Sequence, residues 1–210
     1  MADLTEALAL VGPDATLTLY RDWAASYDQR FATDMEYRLP AHVAAAFVAA
    51  GGAGPVLDVG AGTGLLAEAL RGMGFAGAVD ALDFSAEMLD RAGQKAIYRH
   101  LVQADVTRAL PLARVYNGVT SSGTFTAGHV GPVAFGPMLD VALPGAVFAL
   151  SVNQRVWAGL GFDIALQALR AEGRIRDLRW IEVEVYGAAA RALDPGHAGD
   201  RAWIVLFCKV

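Results

Sequence analysis

The chain has one cysteine, Cys208, in 210 residues. That excludes an internal disulfide and any metal site built from several thiolates. Cys208 sits in a final apolar run and reads as a core residue. Lysine is nearly as scarce, with only Lys95 and Lys209, and no basic run occurs. Nucleic-acid binding needs clustered Lys and Arg, so a chain of net charge -5 with scattered arginines is expected to bind none. Every long uncharged stretch is broken by Gly or Pro, so no membrane span is expected. The first residues, Met1 to Glu6, lack the basic start and apolar core of a secretory signal, and a cytoplasmic location follows by default. The four histidines form no cluster, so no metal site is expected. Internal repeats, linkers and low-complexity tracts are also missing.

What remains is strongly apolar, at 55% hydrophobic residues. That suits a single domain over 1–210 with a sizeable core. Its organising stretch runs from Pro55 to Leu70. Val56 to Val59 reads as a buried parallel strand. Gly60, Gly62 and Gly64 follow at alternate positions, and Leu65, Leu66, Ala69 and Leu70 then recur at helical spacing. Strand, glycine turn and helix form the nucleotide-binding unit of doubly wound sheets. The glycines permit a sharp turn and close ligand approach, and the helix start offers free N–H groups. A tight turn with no ligand is the plain alternative.

The spacing is G-x-G-x-G, with Asp58 two residues ahead. The dinucleotide fingerprint, G-x-G-x-x-G, would place its last glycine at Leu65. The stretch instead resembles motif I of the class I methyltransferases, which use S-adenosylmethionine. That resemblance implies a cofactor lying against Gly60, Ala61, Gly62, Thr63 and Gly64. It also implies an α/β fold: a doubly wound, seven-stranded, mostly parallel sheet with a C-terminal antiparallel hairpin. A helical cap over residues 1–50 would precede a Rossmann-like core over 55–210.

Ahead of the motif, Leu4, Leu8 and Val11 form one helical stripe, and further helices are expected near 16–27 and 40–50. The segment Tyr20 to Asp28 resembles the "Tyr…Trp-Ala…Tyr-Asp" opening of small-molecule methyltransferases. There a tyrosine hydroxyl, here Tyr20 or Tyr27, reaches the cofactor's carboxylate; an amphipathic packing helix is the alternative. After the motif, residues 77–83 form a second strand and Ser85 suits an N-cap. Asp83 closes that strand about 20 residues after the glycines, where an acid can accept ribose hydroxyls. The string Asp83-Phe84-Ser85-Ala86-Glu87-Met88-Leu89 is similar to the family's "Asp-x-Ser-x-x-Met-Leu", which places Phe84 against adenine and Met88 nearby. Asp80 lies within the strand and is expected to face away from the crevice. A third strand over 101–106 ends at Asp105. The resemblance implies that Asp105 takes the adenine amino group and the Val106 N–H a ring nitrogen; a carboxylate capping a turn is the alternative.

A fourth strand is expected near 115–122, bringing Ser121 and Ser122 to the same edge. Asn117 stands where many relatives have Asp. The run Gly123 to Pro132 is the least generic in the chain and resembles that of methyltransferase-like proteins from the Williams–Beuren chromosomal region, which fixes no substrate. The Asn-Pro-Pro-Tyr and Pro-Cys signatures of nucleic-acid methyltransferases are absent. A helix over 134–141, a strand over 143–152, a helix over 162–172 and strands over 178–186 and 202–209 complete the pattern.

Methyl transfer requires alignment of acceptor and methyl, about 3–3.5 Å apart, with water excluded. A base is needed only when the acceptor must lose a proton. His129 is the candidate base, against the alternative of a loop histidine packed on its surroundings. Phe125, Phe135 and Trp157 are candidates for an acceptor pocket. From Val115 to Gln154 only Asp140 is formally charged, which points to an apolar or small polar acceptor. The expected partner is thus a small molecule, with room left for a homodimer. Two other readings compete. An NAD-dependent oxidoreductase would need glycine at Leu65 and, in its short-chain form, Tyr-x-x-x-Lys, whereas Arg91 and Val205 precede the two lysines. A methyltransferase-fold binding or partner-regulating protein without turnover would show damaged cofactor motifs.

Overall fold

The computed structural model describes residues 34–210. The helices expected in the first thirty residues, with Tyr20 and Tyr27, lie outside the described residues. The first element is α1 (Leu39–Ala49), which has Pro40 in its first turn and buries Val43, Ala44 and Phe47. Proline suits that position because its missing N–H would have no helical partner there. Next come β1 (Val56–Val59), α2 (Leu65–Gly72), β2 (Val79–Asp83), α3 (Ala86–Gln94) and β3 (Leu101–Gln103). Ser85 caps α3 by accepting from the Met88 N–H at 3.2 Å, as its sequence position suggests. The remainder is β4 (Tyr116–Phe125), a 3₁₀ turn at Pro132–Ala134, α4 (Phe135–Val141), β5 (Ala142–Asn153), α5 (Gln154–Trp157), α6 (Phe162–Ala171), β6 (Ile175–Glu184), α7 (Ala190–Leu193) and β7 (Arg201–Lys209).

The seven strands form one sheet in the order β3-β2-β1-β4-β5-β7-β6. Strands β1 to β5 pair in parallel, and β7 is antiparallel to both β5 and β6. The expected doubly wound sheet with a C-terminal hairpin is therefore present. Alternation along each strand splits the core. Leu57, Val59, Val119, Phe148 and Leu150 pack with Phe135 and Met138 of α4 and with Phe162 and Leu166 of α6. Val56, Val79, Val147 and Ala149 pack with Val43 and Phe47 of α1 and with Leu66 and Leu70 of α2. Fully burying side chains of this size is worth about 1.5–3 kcal/mol each, so both faces contribute heavily.

Several boundaries differ from expectation. Strand β3 stops at Gln103, leaving Asp105 two residues beyond it. Strand β4 continues through Phe125, with its register to β5 shifted between Ser121 and Phe125 and Gly123 at φ 80°. Strand β6 starts at Ile175. Its register to β7 shifts between Arg176 and Arg179, where Asp177 has φ 57°. The extra residue is a bulge, and it resets the inward phase of the strand. Asp80 does face away from the crevice edge. It accepts two bonds from Arg99, at 2.9 and 2.7 Å, and one from the Tyr116 hydroxyl at 2.9 Å.

Candidate active site

The strand order turns back between β1 and β4: β2 and β3 extend to one side, β4 and β5 to the other. A doubly wound sheet opens its crevice at the carboxyl ends of strands where the order reverses in this way. The loop Gly60–Gly64 crosses that point. Its start is tied to the end of β2, with the Gly60 and Ala61 N–H groups donating to Leu82 O at 2.8 and 3.1 Å. Gly60, Gly62 and Gly64 have φ of 64°, 54° and 95°, a region that L side chains resist. Their surroundings differ. A Cβ on Gly60 would lie 2.0 Å from Thr124 Oγ1, and one on Gly64 would lie 3.0 Å from the Tyr98 ring. A Cβ on Gly62 would meet nothing within 4 Å. Gly62 is therefore the glycine whose main chain fronts open space. Ala61 and Thr63 turn inward and are buried.

Asp83, at the end of β2, holds this loop from the side. Its Oδ2 accepts from the Gly62 N–H at 2.8 Å and its Oδ1 from the Ser85 N–H at 2.9 Å. Burial raises the Asp83 pKa, and the N–H groups of Ser85, Gly62 and Phe84 oppose the rise. Phe84 is 42% exposed, an unusual state for a phenylalanine and one open to a stacking partner, whereas Met88 is buried. The end of β2 is also tied to the segment after β3, where the Ala104 N–H donates to Asp83 O at 3.0 Å. The Asp105 side chain forms a turn: Oδ1 accepts from the Thr107 N–H at 2.9 Å and its hydroxyl at 2.6 Å, and Oδ2 lies 3.2 Å from Arg108. These Thr107 bonds are the main reason its pKa is lowered. The neighbouring Val106 side chain is buried.

Beneath the loop lies a residue that the motif contains but the sequence reading gave no role. Asp58 of β1 is fully buried. Its Oδ2 accepts from the Tyr98 hydroxyl at 2.7 Å. Burial pushes its pKa up to about 7, and nearby Asp83 adds to the rise; the hydroxyls of Tyr98 and Thr120 oppose it. Thr120 is the register partner of Asp58 on β4, yet neither Asp58 Oδ1 nor Thr120 Oγ1 has a hydrogen bond of normal geometry.

The end of β4 forms the other wall. The Ser121 hydroxyl donates to Val59 O at 2.8 Å and lies 2.9 Å from Thr124 Oγ1, so it joins β4 to β1. Ser122 Oγ is buried and interacts with the Tyr37 hydroxyl; burial pushes the Tyr37 pKa up to about 12. That hydroxyl lies against Gly123, 2.5 Å from where a Cβ would stand. The Tyr37 ring is 5.8 Å from that of Tyr186. His129 follows in the loop after β4, where its N–H donates to Thr126 O at 3.2 Å and burial lowers its pKa. The imidazole is therefore neutral at physiological pH. Phe125 and Phe135 do not line a pocket: both are buried in the core, 5.9 Å apart and both against Phe162. Trp157 is half-buried against Phe162, Trp180 and Trp203. Asn117 donates to Gly54 O at 2.9 Å, a structural bond away from the loop.

Residues 56–135 match the family described as "Methyltransferase domain". The matched stretch spans β1 through the start of α4, including the glycine loop and the acids Asp83 and Asp105. Over that stretch the chain is similar to methyltransferase domains. Solved structures share the fold over nearly the whole length. A candidate S-adenosyl-L-methionine-dependent methyltransferase from Methanococcus maripaludis is 18% identical, covers 89% of this chain and 92% of its own, and has a TM-score of 0.61. An S-adenosylmethionine-dependent methyltransferase from Thermotoga maritima, with histamine N-methylation as its suggested activity, is 10% identical over 92% and 99% of the two chains, with a TM-score of 0.64. A candidate methyltransferase solved with the Trm112 methyltransferase activator of Haloferax volcanii is 18% identical over 90% and 97%, with a TM-score of 0.59. No curated protein matches the chain. Among the described residues, no helix is long and apolar enough to cross a membrane, and no group of three or more His, Cys, Asp or Glu side chains is placed to hold a metal.

Proposed function

We propose that this protein transfers a methyl group from S-adenosylmethionine to a small-molecule acceptor. One observation carries the reading: Gly62 fronts open space at the strand-order reversal while its N–H is held by the Asp83 carboxylate. A bare main chain beside a fixed acid suits a nucleoside whose other end lies along the loop. The exposed Phe84 ring supplies an apolar flank at the same edge. The buried Asp58, with one oxygen lacking a good hydrogen bond, adds negative charge below the methionine end. Asp83 would hold the ribose, Phe84 and Asp105 the adenine, and residues 60–64 the methionine portion.

When bound, this cofactor supplies a methyl group already activated on a sulfonium. The chain's residues then have three tasks. The loop and Asp83 fix the donor's orientation. Tyr37, Tyr186 and the end of β4 wall the acceptor side and limit water there. His129, neutral because it is buried, takes a proton from an acceptor that must lose one. The charge-poor segment 115–154 suits an apolar or small polar acceptor.

An NAD-dependent reading lacks its third glycine, since Leu65 opens α2. The departure at Asn117 leaves the cofactor reading intact, because that side chain serves the Gly54 carbonyl. Location in the cytoplasm, pairing into a homodimer and absence of nucleic-acid partners belong to the same proposal. S-adenosylhomocysteine should raise the melting temperature, and Asp83→Ala should abolish the rise. Binding of NADH but not of S-adenosylhomocysteine would refute the proposal.

A further inference from the structure

Tyr98 belongs to no motif. It lies in the linker 95–100 between α3 and β3, and that linker is fixed on several sides. Lys95 pairs with Glu68 of α2 at 2.7 Å. Arg71 Nη2 donates to Ile97 O at 3.1 Å. Arg99 N–H donates to Val79 O at 2.8 Å, while its guanidinium holds Asp80.

From this base the Tyr98 ring runs under the glycine loop. A Cβ on Gly64 would be 3.0 Å from its Cε2, and the ring packs against Ala61, Ala81 and Leu89. Its hydroxyl donates to Asp58 Oδ2 at 2.7 Å. The groups that face this pair are Asp83 from β2, Thr120 from β4 and Glu68 from α2. Asp83 disfavours charge on Asp58 and the Tyr98 hydroxyl favours it. Without the phenol, burial and Asp83 would act on Asp58 with only Thr120 against them.

We infer that Tyr98 is a positioning residue for the methyl donor: its hydroxyl keeps Asp58 a carboxylate beneath the loop, so the site favours the cationic sulfonium donor over its uncharged thioether product. The inference rests on the proposed cofactor and adds a selectivity to it. A carboxylate beneath the loop would attract a sulfonium positive charge and not a neutral sulfur. At an effective dielectric near 20, such a charge difference is enough for a preference of about tenfold.

Calorimetric titration of the full chain with S-adenosylmethionine and with S-adenosylhomocysteine, at pH 6 and pH 8, tests it. In the wild type the donor-to-product affinity ratio should fall several-fold from pH 8 to pH 6. Tyr98→Phe should lower the ratio at pH 8 by about tenfold. Asp58→Asn should lower it similarly and make it independent of pH, which keeps the test open should Tyr98→Phe fold poorly. A brace that only stiffened the loop would weaken both ligands by one factor. An unchanged ratio in both variants, or such a common loss, overturns the inference. Failure of the wild type to bind either ligand overturns the proposed function itself.

Discussion

Replacing Asp58 by Asn tests the electrostatics of the site without any ligand. The substitution keeps the shape and keeps an oxygen to accept from Tyr98, but removes the capacity to ionise. In the fold, burial pushes the Asp58 pKa up to about 7 from an ordinary 3.8. A carboxyl that binds its proton more tightly when folded favours the folded state at low pH, and that contribution fades as pH rises through the folded value. The fading runs from about pH 4 to about pH 7 and amounts to roughly 4 kcal/mol in total. Asp58 is fully buried, so solvent screening does not reduce this figure appreciably. Urea unfolding of both proteins from pH 4.5 to 8.5 isolates the effect, because titrating groups other than the coupled Asp83 cancel in the difference. The variant should gain on the wild type by about 1.4 kcal/mol per pH unit up to neutrality, then run parallel. A stability difference that stays constant across that range would refute the reasoning.

The remaining predictions concern the loop and its walls. Gly60→Ala and Gly62→Ala share a positive φ and hence a similar backbone cost of about 1–2 kcal/mol. Only Gly60→Ala meets Thr124, so thermal unfolding should show the larger loss there, while Gly62→Ala should chiefly weaken S-adenosylhomocysteine binding measured by calorimetry. Asp83→Asn should lower stability by about 1–3 kcal/mol, because the amide NH2 cannot accept and leaves either the Gly62 or the Ser85 N–H without its partner, and denaturant melts will show it. Since burial lowers the His129 pKa, methyl transfer to a protic acceptor should hold steady at and above neutral pH and fall on the acid side. His129→Ala should lower the rate and remove that fall; activity unchanged in size and pH profile would end its role as base.

The βαβ core was readable because three kinds of local signal agree within it. The apolar run of β1, the glycine spacing and the Ser85 cap each specify a conformation with little help from distant residues. The apolar run of β7 and the Gly173 limit of α6 behave in the same way. What escaped the sequence depends on tertiary contacts. Phe125 and Phe135 offered themselves as pocket residues by position, but their faces are set by packing on Phe162. The bulge at Asp177 has no local marker, since a positive φ at Asp needs the pairing with β7 to hold it. Asp105 looked like a strand end because Ala104 and Val106 extend the apolar pattern, although pairing with β2 stops at Gln103. Tyr98 had no signal at all: its role comes from a linker pinned by Arg71, Lys95 and Arg99, and no spacing rule reports that.

The placement of β7 between β5 and β6 carries a consequence for biosynthesis. Strand β6 leaves the ribosome before its only neighbour exists, so it has no lattice to join at that moment. The half that carries the glycine loop, β1 to β4, depends on neither and can consolidate early. Trp180 and Ile181 of β6, still partly exposed in the finished fold, would then wait uncovered for the insertion of β7. That interval is when a nascent chain of this topology is most open to sticking to its neighbours, and the guanidinium and carboxylate groups interspersed along β6, from Arg176 to Glu184, are well suited to guard it.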